Sequence, residues 1–268
     1  MNDNYTHIQS GIFYIVENII GPVEQTLEYE QLLNDYNSQL IYRCECDGTC
    51  SVTNCACLQI SCGNNYVADD NGGNQKYKLK NETDTIIECN DNCMCSDSCG
   101  NRVVQRGPID GLEIRMCNVK AKGFGLYGTT FIPRGTFICE YAGELITKTE
   151  AYKRHDTNKL NGKMNYIFCL NEHSGGRIIQ TFVDPSNFGN IGRYINHSCD
   201  PNCQIVPVRC QSPIPKLAIF SRLDISPGEE VTFNYGPNVI NTEEASSNRI
   251  KCFCNSQKCN GLMPYDMY

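Results

Sequence analysis

Nineteen cysteines in 268 residues constrain this chain more than any other feature, because their spacing is not that of a disulfide framework. Ten fall between residues 44 and 99. They run Cys44-x-Cys46-x3-Cys50-x4-Cys55-x-Cys57, then Cys62, and after a polar stretch Cys89-x3-Cys93-x-Cys95-x3-Cys99. Three N-x-S/T sequons, at Asn4, Asn81 and Asn196, superficially favour a secreted, disulfide-bonded protein. Against that, the cysteine count is odd, no charged-apolar-small leader opens the chain, and the thiols come in C-x-C pairs. Clusters of this kind in a reducing compartment point to metal. A structural zinc takes four ligands in a tetrahedron. With Cys62 set aside as an ordinary thiol, nine sulfurs serve two zincs with one to spare, or three zincs if three sulfurs each bridge two metals. C-x-C pairs suit sharing, since their thiols point toward different metals. The expected role is to fold a segment with too few apolar residues to fold alone, not to carry out chemistry.

The rest of the chain reads as mostly β. From about residue 108, short runs of strand formers recur ("TFICEYAG", "NYIFCL", "RIIQTFVD", "CQIVPVR", "KLAIFS", "EEVTFNYG"), separated by turn residues such as "SGG" and "SPGEE". Helices are expected at "EQTLEYEQLLNDY" and at "TKTEAYKRH", the latter capped by Thr147 or Thr149. Hydrophobic residues make up 40% of the chain, enough for a core, and no apolar run is long enough to span a bilayer, so no membrane association is expected. Charge is uneven: residues 1–107 carry 6 Lys/Arg against 15 Asp/Glu, a net of −9, and residues 108–268 carry 17 against 15, a net of +2. An acidic chain without basic runs is poorly suited to gripping phosphates, so sequence-specific nucleic-acid binding is not expected; a cationic partner is better matched.

The last cluster, "KCFCNSQKC", offers Cys252, Cys254 and Cys259, one ligand short of a tetrahedron. Cys199, alone in "RYINHSCDPNC", is the candidate fourth, which would pin the C-terminal segment onto the β core; the alternative is that Cys199 packs as a small apolar residue. At this point a resemblance becomes specific. "RYINHSCDPNC", "EEVTFNYG" and C-x-C-x4-C in that order resemble the SET domain of protein lysine methyltransferases with its post-SET zinc. The nine-cysteine module followed by "CGNRVVQRG" resembles the pre-SET module of the histone H3 lysine 9 methyltransferases. The likeness covers roughly residues 44–264. It implies a SET fold of small β-sheets with a knot-like C-terminal threading that brings "RYINHS" beside "FNYG", flanked by zinc-cysteine modules. The expected organisation is an N-terminal packing segment (1–43), a pre-SET module (44–107), a SET domain (108–236), a linker (237–250) and a post-SET module (251–268). Three zincs are implied on Cys44, Cys46, Cys50, Cys55, Cys57, Cys89, Cys93, Cys95 and Cys99, and one on Cys199, Cys252, Cys254 and Cys259.

The resemblance also implies S-adenosylmethionine as methyl donor. "KGFGLYG" fits the dinucleotide pattern G-x-G-x-x-G, but a proline and strand formers come next, where a dinucleotide site needs a helix. Lys122, Gly123, Phe124 and Gly125 instead match the family's donor loop, with Phe124 in place of the usual tryptophan and Gly123 and Gly125 allowing close backbone approach. Tyr166, Arg193, Asn196 and His197 join the donor site by the same likeness, whereas His155 and His173 have no such context and are expected to be exposed. Methyl transfer to lysine is an in-line displacement that needs an unprotonated amine, and an aromatic channel disfavours the ammonium. Tyr141, Phe168, Phe233 and Tyr235 are the channel candidates, with Tyr235 supplying the hydroxyl that orients the amine. Phe233, where a tyrosine would hold the reaction at one methyl, implies di- or trimethylation.

The implied substrate is the histone H3 tail at lysine 9, added to a sheet edge between residues 148–190 and the post-SET segment; a nuclear, chromatin location accompanies it. Met263 or Tyr265 is expected to close the channel's outer wall. Three rival readings are a methyltransferase for another lysine, such as H3 lysine 36 or one in a non-histone protein, a catalytically silent SET scaffold, and a zinc-dependent nucleic-acid binder.

Overall fold

The computed structural model describes residues 3–69, 77–80, 86–236 and 250–264. Among these residues six small sheets carry most of the regular structure. One four-stranded sheet runs in the order Phe168–Ser174, Arg177–Asp184, Glu144–Ile146, Ile19–Ile20. A second runs Ile86–Ile87, Cys203–Arg209, Lys216–Ser221, Phe137–Glu140. The remaining four sheets are two-stranded, among them the antiparallel pair Leu112–Met116 with Phe124–Gly128. The expected β runs therefore all form strands, because each alternates or concentrates branched and aromatic residues between turn formers.

Two of the helices agree with the sequence. Leu27–Asn37 is capped by Thr26, and Lys148–Leu160 by Thr147, whose Oγ1 accepts from the Glu150 amide at 3.0 Å. Thr149, the alternative cap, donates instead to Glu28. His173 is exposed as expected, but His155 is half-buried, its Nδ1 3.4 Å from the Asn165 amide nitrogen, because the helix runs on to Leu160 and folds the next turn back over it.

Apolar residues gather in a main core that includes Leu126, Ile138, Leu145, Ile191, Ile195 and Ile219, each nearly sealed from solvent. A second core built around Ile86, Phe137, Val208 and Phe220 joins the cysteine-rich segment to the β domain. There the strand Ile86–Ile87 adds in parallel to Val208–Arg209. Next to it, buried Glu88 accepts from the Val103 and Val104 amides, both at 2.8 Å, and from the Tyr66 hydroxyl at 2.6 Å. A third cluster is almost entirely sulfur, with Leu58 and Ile87 as its only buried hydrocarbon side chains.

Three parallel strand pairs frame the active region. Asn196–His197 pairs with Thr232–Phe233, Asn196 opposite Thr232 and His197 opposite Phe233, which delivers the expected juxtaposition of "RYINHS" and "FNYG". The early segment also docks in strands: Phe13–Tyr14 beside Phe188–Gly189, and Ile19–Ile20 beside Glu144–Leu145. The turn at Gly143 is so tight that a Cβ there would lie 2.5 Å from the Asp184 carbonyl carbon and 2.6 Å from the Pro185 nitrogen. Both are backbone atoms of the neighbouring strand end and cannot swing away. Gly143→Ala is therefore expected to destabilise the fold by about 1–3 kcal/mol, read as a lower urea midpoint at unchanged m-value.

Candidate active site and cysteine clusters

A cavity of about 240 Å³ opens beside the Asn196–His197 and Thr232–Phe233 pair, which contributes Asn196 and Phe233 to its lining. One side is aromatic. Tyr141 directly follows the strand Phe137–Glu140, Phe168 begins Phe168–Ser174, and Phe233 and Tyr235 stand two residues apart in "FNYG". Ring centroids lie 6.1 Å apart for Tyr141–Phe168, 5.8 Å for Tyr141–Phe233, 5.9 Å for Phe168–Phe233 and 4.9 Å for Phe233–Tyr235. All four residues line the cavity. Their polar tips are committed: Tyr141 donates to the Tyr166 carbonyl at 2.7 Å and Tyr235 to the Ile195 carbonyl at 2.8 Å. Burial pushes both phenols above their ordinary range, so both stay protonated.

The other side gathers the residues expected to meet the donor. Lys122, Gly123, Phe124, Tyr166, Arg193 and Asn196 line the same cavity. The segment is a 3-10 turn, Lys120–Lys122, running into the strand Phe124–Gly128, which rules out the helix a dinucleotide fingerprint needs. Gly123 has φ +71 and a Cβ built there would meet nothing within 4 Å, so the backbone is bare toward the cavity. Arg193 is buried, its guanidinium 4.6 Å from the Tyr166 ring centroid and bonded to the Pro185 carbonyl at 3.0 Å.

Two expected donor residues sit elsewhere. Gly125 does not line the cavity; a Cβ there would run into Cys117 Sγ at 2.8 Å and Glu230 Oε1 at 2.9 Å, so its smallness serves protein packing. The His197 ring is buried behind Tyr235, and its nitrogens face the Tyr235 amide at 3.2 Å and Cys199 Sγ at 3.4 Å. Burial, then the Lys122 charge, lowers its pKa to about 4, so the ring is neutral.

Several residues of this region carried no sequence signal. Gln9 lines the cavity and accepts from Arg193 Nη1 at 2.9 Å, while His7 bridges the Tyr194 hydroxyl and the Gly189 carbonyl. Glu230 ion-pairs with Lys122 and accepts from Asn196 Nδ2 at 2.8 Å, tying the donor loop to the "RYINHS" segment. Met263 is half-buried but not among the cavity's lining residues, and Tyr265 lies outside the described residues.

None of the nineteen cysteines is in a disulfide. Twelve of their sulfurs instead form four groups whose members all lie within 4.8 Å of one another: Cys44, Cys50, Cys55, Cys89; Cys44, Cys57, Cys89, Cys93; Cys50, Cys89, Cys95, Cys99; and Cys199, Cys252, Cys254, Cys259. A tetrahedron with Zn–S bonds of about 2.3 Å has edges of about 3.8 Å. The closest pairs fit that edge: 3.8 Å for Cys44–Cys50 and Cys50–Cys89, 3.9 Å for Cys55–Cys89 and Cys199–Cys252, 3.6 Å for Cys57–Cys93. These clusters could hold zinc. Cys89 belongs to three groups, and Cys44 and Cys50 to two each, so eight sulfurs fill the twelve places of these three groups, a tighter sharing than the three two-metal bridges that nine sulfurs around three metals need. Cys46 lies in the same buried cluster but outside the four-sulfur groups, its Sγ 3.3 Å from the Asn54 carbonyl. Cys62 is exposed, apart from the others.

The SET domain family matches residues 123–236 and the Pre-SET motif residues 2–102. The probable histone-lysine N-methyltransferase set-23 of Caenorhabditis elegans is 42% identical over 225 residues, covering 82% of this chain and 86% of that protein. The chain belongs to the SET-domain histone-lysine N-methyltransferases. A Schizosaccharomyces pombe relative named as H3 lysine-9 specific is 37% identical across 85% of this chain and 48% of its own length. Among solved structures, the methyltransferase domain of human SETMAR superposes with a TM-score of 0.77 at 31% identity, covering 99% of this chain and 93% of that one. KRYPTONITE, solved with DNA, an H3(1–15) peptide and SAH, superposes with a TM-score of 0.71 at 25% identity, covering 98% of this chain and 49% of that one. The mostly-β SET fold and the enzyme class read from the sequence are thus those of this SET methyltransferase. Among the described residues of the enzyme, no helix is long and apolar enough to cross a membrane.

Proposed function

We propose that this SET enzyme transfers methyl groups from S-adenosylmethionine to lysine 9 of the histone H3 tail, yielding di- or trimethyl-lysine in chromatin. The observation that carries the proposal is one cavity with two unlike walls: four aromatic rings on one side, and Lys122, Gly123, Phe124, Arg193 and Asn196 on the other. The SAH and H3 peptide in KRYPTONITE and the lysine-9 name of the fission-yeast relative support the donor and the substrate.

A sulfonium donor supplies an electrophilic methyl group that needs no metal or covalent intermediate. Among Tyr141, Phe168, Phe233 and Tyr235 the target lysine leaves water, which disfavours its ammonium form, since free lysine has a pKa of about 10.4. Tyr235 spends its proton on the Ile195 carbonyl, so its oxygen presents only lone pairs to the cavity and can accept from the amine. That fixes the direction of the nitrogen lone pair, and alignment supplies most of the rate. Outside the channel, the strand Phe168–Ser174 is the end strand of its sheet. Its outer edge pairs with no other strand among the described residues, which suits addition of an extended tail. The net −9 of residues 1–107 favours a basic tail electrostatically. The four sulfur groups are assigned one zinc each, three in the pre-SET module and one in the post-SET module, with Cys46 as the ninth pre-SET ligand taking one of the three places of Cys89, so that Cys44, Cys50 and Cys89 each bridge two ions.

Methylation of H3 peptides with labelled donor, each lysine replaced in turn, tests the target: signal should vanish only when lysine 9 is replaced, and signal lost with another lysine instead overturns the assignment. The product is read in the same assay. Phe233 is 1% exposed and ringed by Tyr141, Phe168 and Tyr235, so a hydroxyl added there points at the amine or its water. Mass spectrometry of the wild-type reaction should show di- and trimethyl-lysine, and Phe233→Tyr should shift the product to monomethyl-lysine. An identical mix from both proteins removes Phe233 as the determinant.

A further inference from the structure

We propose that His197 is a positioning residue that ties the catalytic tyrosine to the C-terminal sulfur cluster, one ring nitrogen serving each. The inference rests on the assignment of Cys199, Cys252, Cys254 and Cys259 as a zinc site. Nδ1 lies 3.2 Å from the Tyr235 amide nitrogen, which can only donate, so Nδ1 is the acceptor and carries no proton. In a neutral imidazole the proton is then on Nε2, and Nε2 lies 3.4 Å from Cys199 Sγ. An N–H aimed at a metal-bound thiolate draws off part of the sulfur's charge and fixes its direction, as outer partners of metal ligands do. The main chain of His197 is already held by the parallel ladder with Phe233, so the ring is not needed to keep the strand in place. Tyr235 is thereby gripped twice, at its amide by His197 and at its hydroxyl by the Ile195 carbonyl. A cluster that loosens would release Tyr235 through His197.

The two contacts can be separated. Asparagine places its oxygen near the position of Nδ1 but falls short of Cys199, whereas glutamine can reach Cys199 with its amide nitrogen but offers no acceptor at the Nδ1 position. Zinc release from the full chain into a chromophoric chelator identifies the relevant ion as the one missing from Cys199→Ser. His197→Phe and His197→Asn should release that ion about 10–100-fold faster than wild type, and His197→Gln close to the wild-type rate. The three other ions act as an internal control for folding and should leave at wild-type rates throughout. Turnover should divide the variants the other way: His197→Gln loses more kcat than His197→Asn, and the loss falls on kcat and not on KM for the donor. Wild-type release of that ion from all three variants, or a loss confined to donor KM, overturns the proposal. If Cys199→Ser still holds four ions, the zinc assignment itself fails and the coupling falls with it.

Discussion

Tyr235→Phe is expected to lower kcat by about 10²–10³-fold, the range seen when one positioned polar group is removed from a reacting centre. The substitution deletes a single oxygen. It leaves the ring in contact with Phe233 and His197, at 4.9 and 5.4 Å between centroids, so the channel keeps its shape. The loss is confined to the lone pair facing the amine and the bond to the Ile195 carbonyl. Single-turnover kinetics with saturating donor and peptide read the loss directly. Calorimetric titration of the donor alone should give an affinity within a few-fold of wild type, because the oxygen belongs to the lysine side of the cavity. A variant that turns over within a factor of about three of wild type would remove Tyr235 from its assigned role, since one lost positioned group costs far more than that.

Cys89→Ser should be the most damaging of the cysteine substitutions. Its sulfur is shared by three four-sulfur groups, and the cluster around it is nearly devoid of hydrocarbon. On the proposed zinc assignment such a segment is held by metal coordination, worth about 10–16 kcal/mol for a structural zinc, and not by apolar burial. Elemental analysis of purified protein should find four zinc ions per wild-type chain and one in Cys89→Ser, the survivor being the post-SET ion. The same variant should lose its cooperative thermal transition in the cysteine-rich segment. Cys62→Ser, altering an exposed thiol outside the groups, should keep four ions and an unchanged transition. Four ions retained in Cys89→Ser would mean that the shared sulfur is not a bridge.

The parts of this architecture that are legible in the sequence are those written in local spacing. C-x-C pairs fix which thiols can face different metals, and strand formers between turns fix the β runs. The aromatic residues of "EYAG", "NYIF" and "FNYG" come together because each lies at a strand end or within two residues of one. Contacts made across the chain by residues of ordinary type are the illegible part. Gln9 sits in a stretch without periodicity, and the pairing of Phe13–Tyr14 with Phe188–Gly189, together with His7 on Tyr194 and Gly189, brings it near Arg193. Glu230 looks like one more turn carboxylate until its isolated bridge to Tyr127 carries it to Lys122 and Asn196. The motif around His197 groups it with the donor residues, but a side chain in a strand can face either way, and register decides. Gly125 departs from expectation for a related reason, since a motif does not say what approaches a glycine.

The docking of the early segment bears on how the protein comes into being. Gln9 forms one wall of the cavity, while Cys252 stands behind Tyr235 through Cys199 and His197. During translation the first of these emerges long before the second, and the space between them has no shape until both are present. Newly made chains must therefore wait, with greasy rings uncovered and thiols unmetallated, for nearly the whole stretch between those residues to leave the ribosome. On the proposed zinc assignment, the supply of that metal at the moment of synthesis sets how many copies ever become competent.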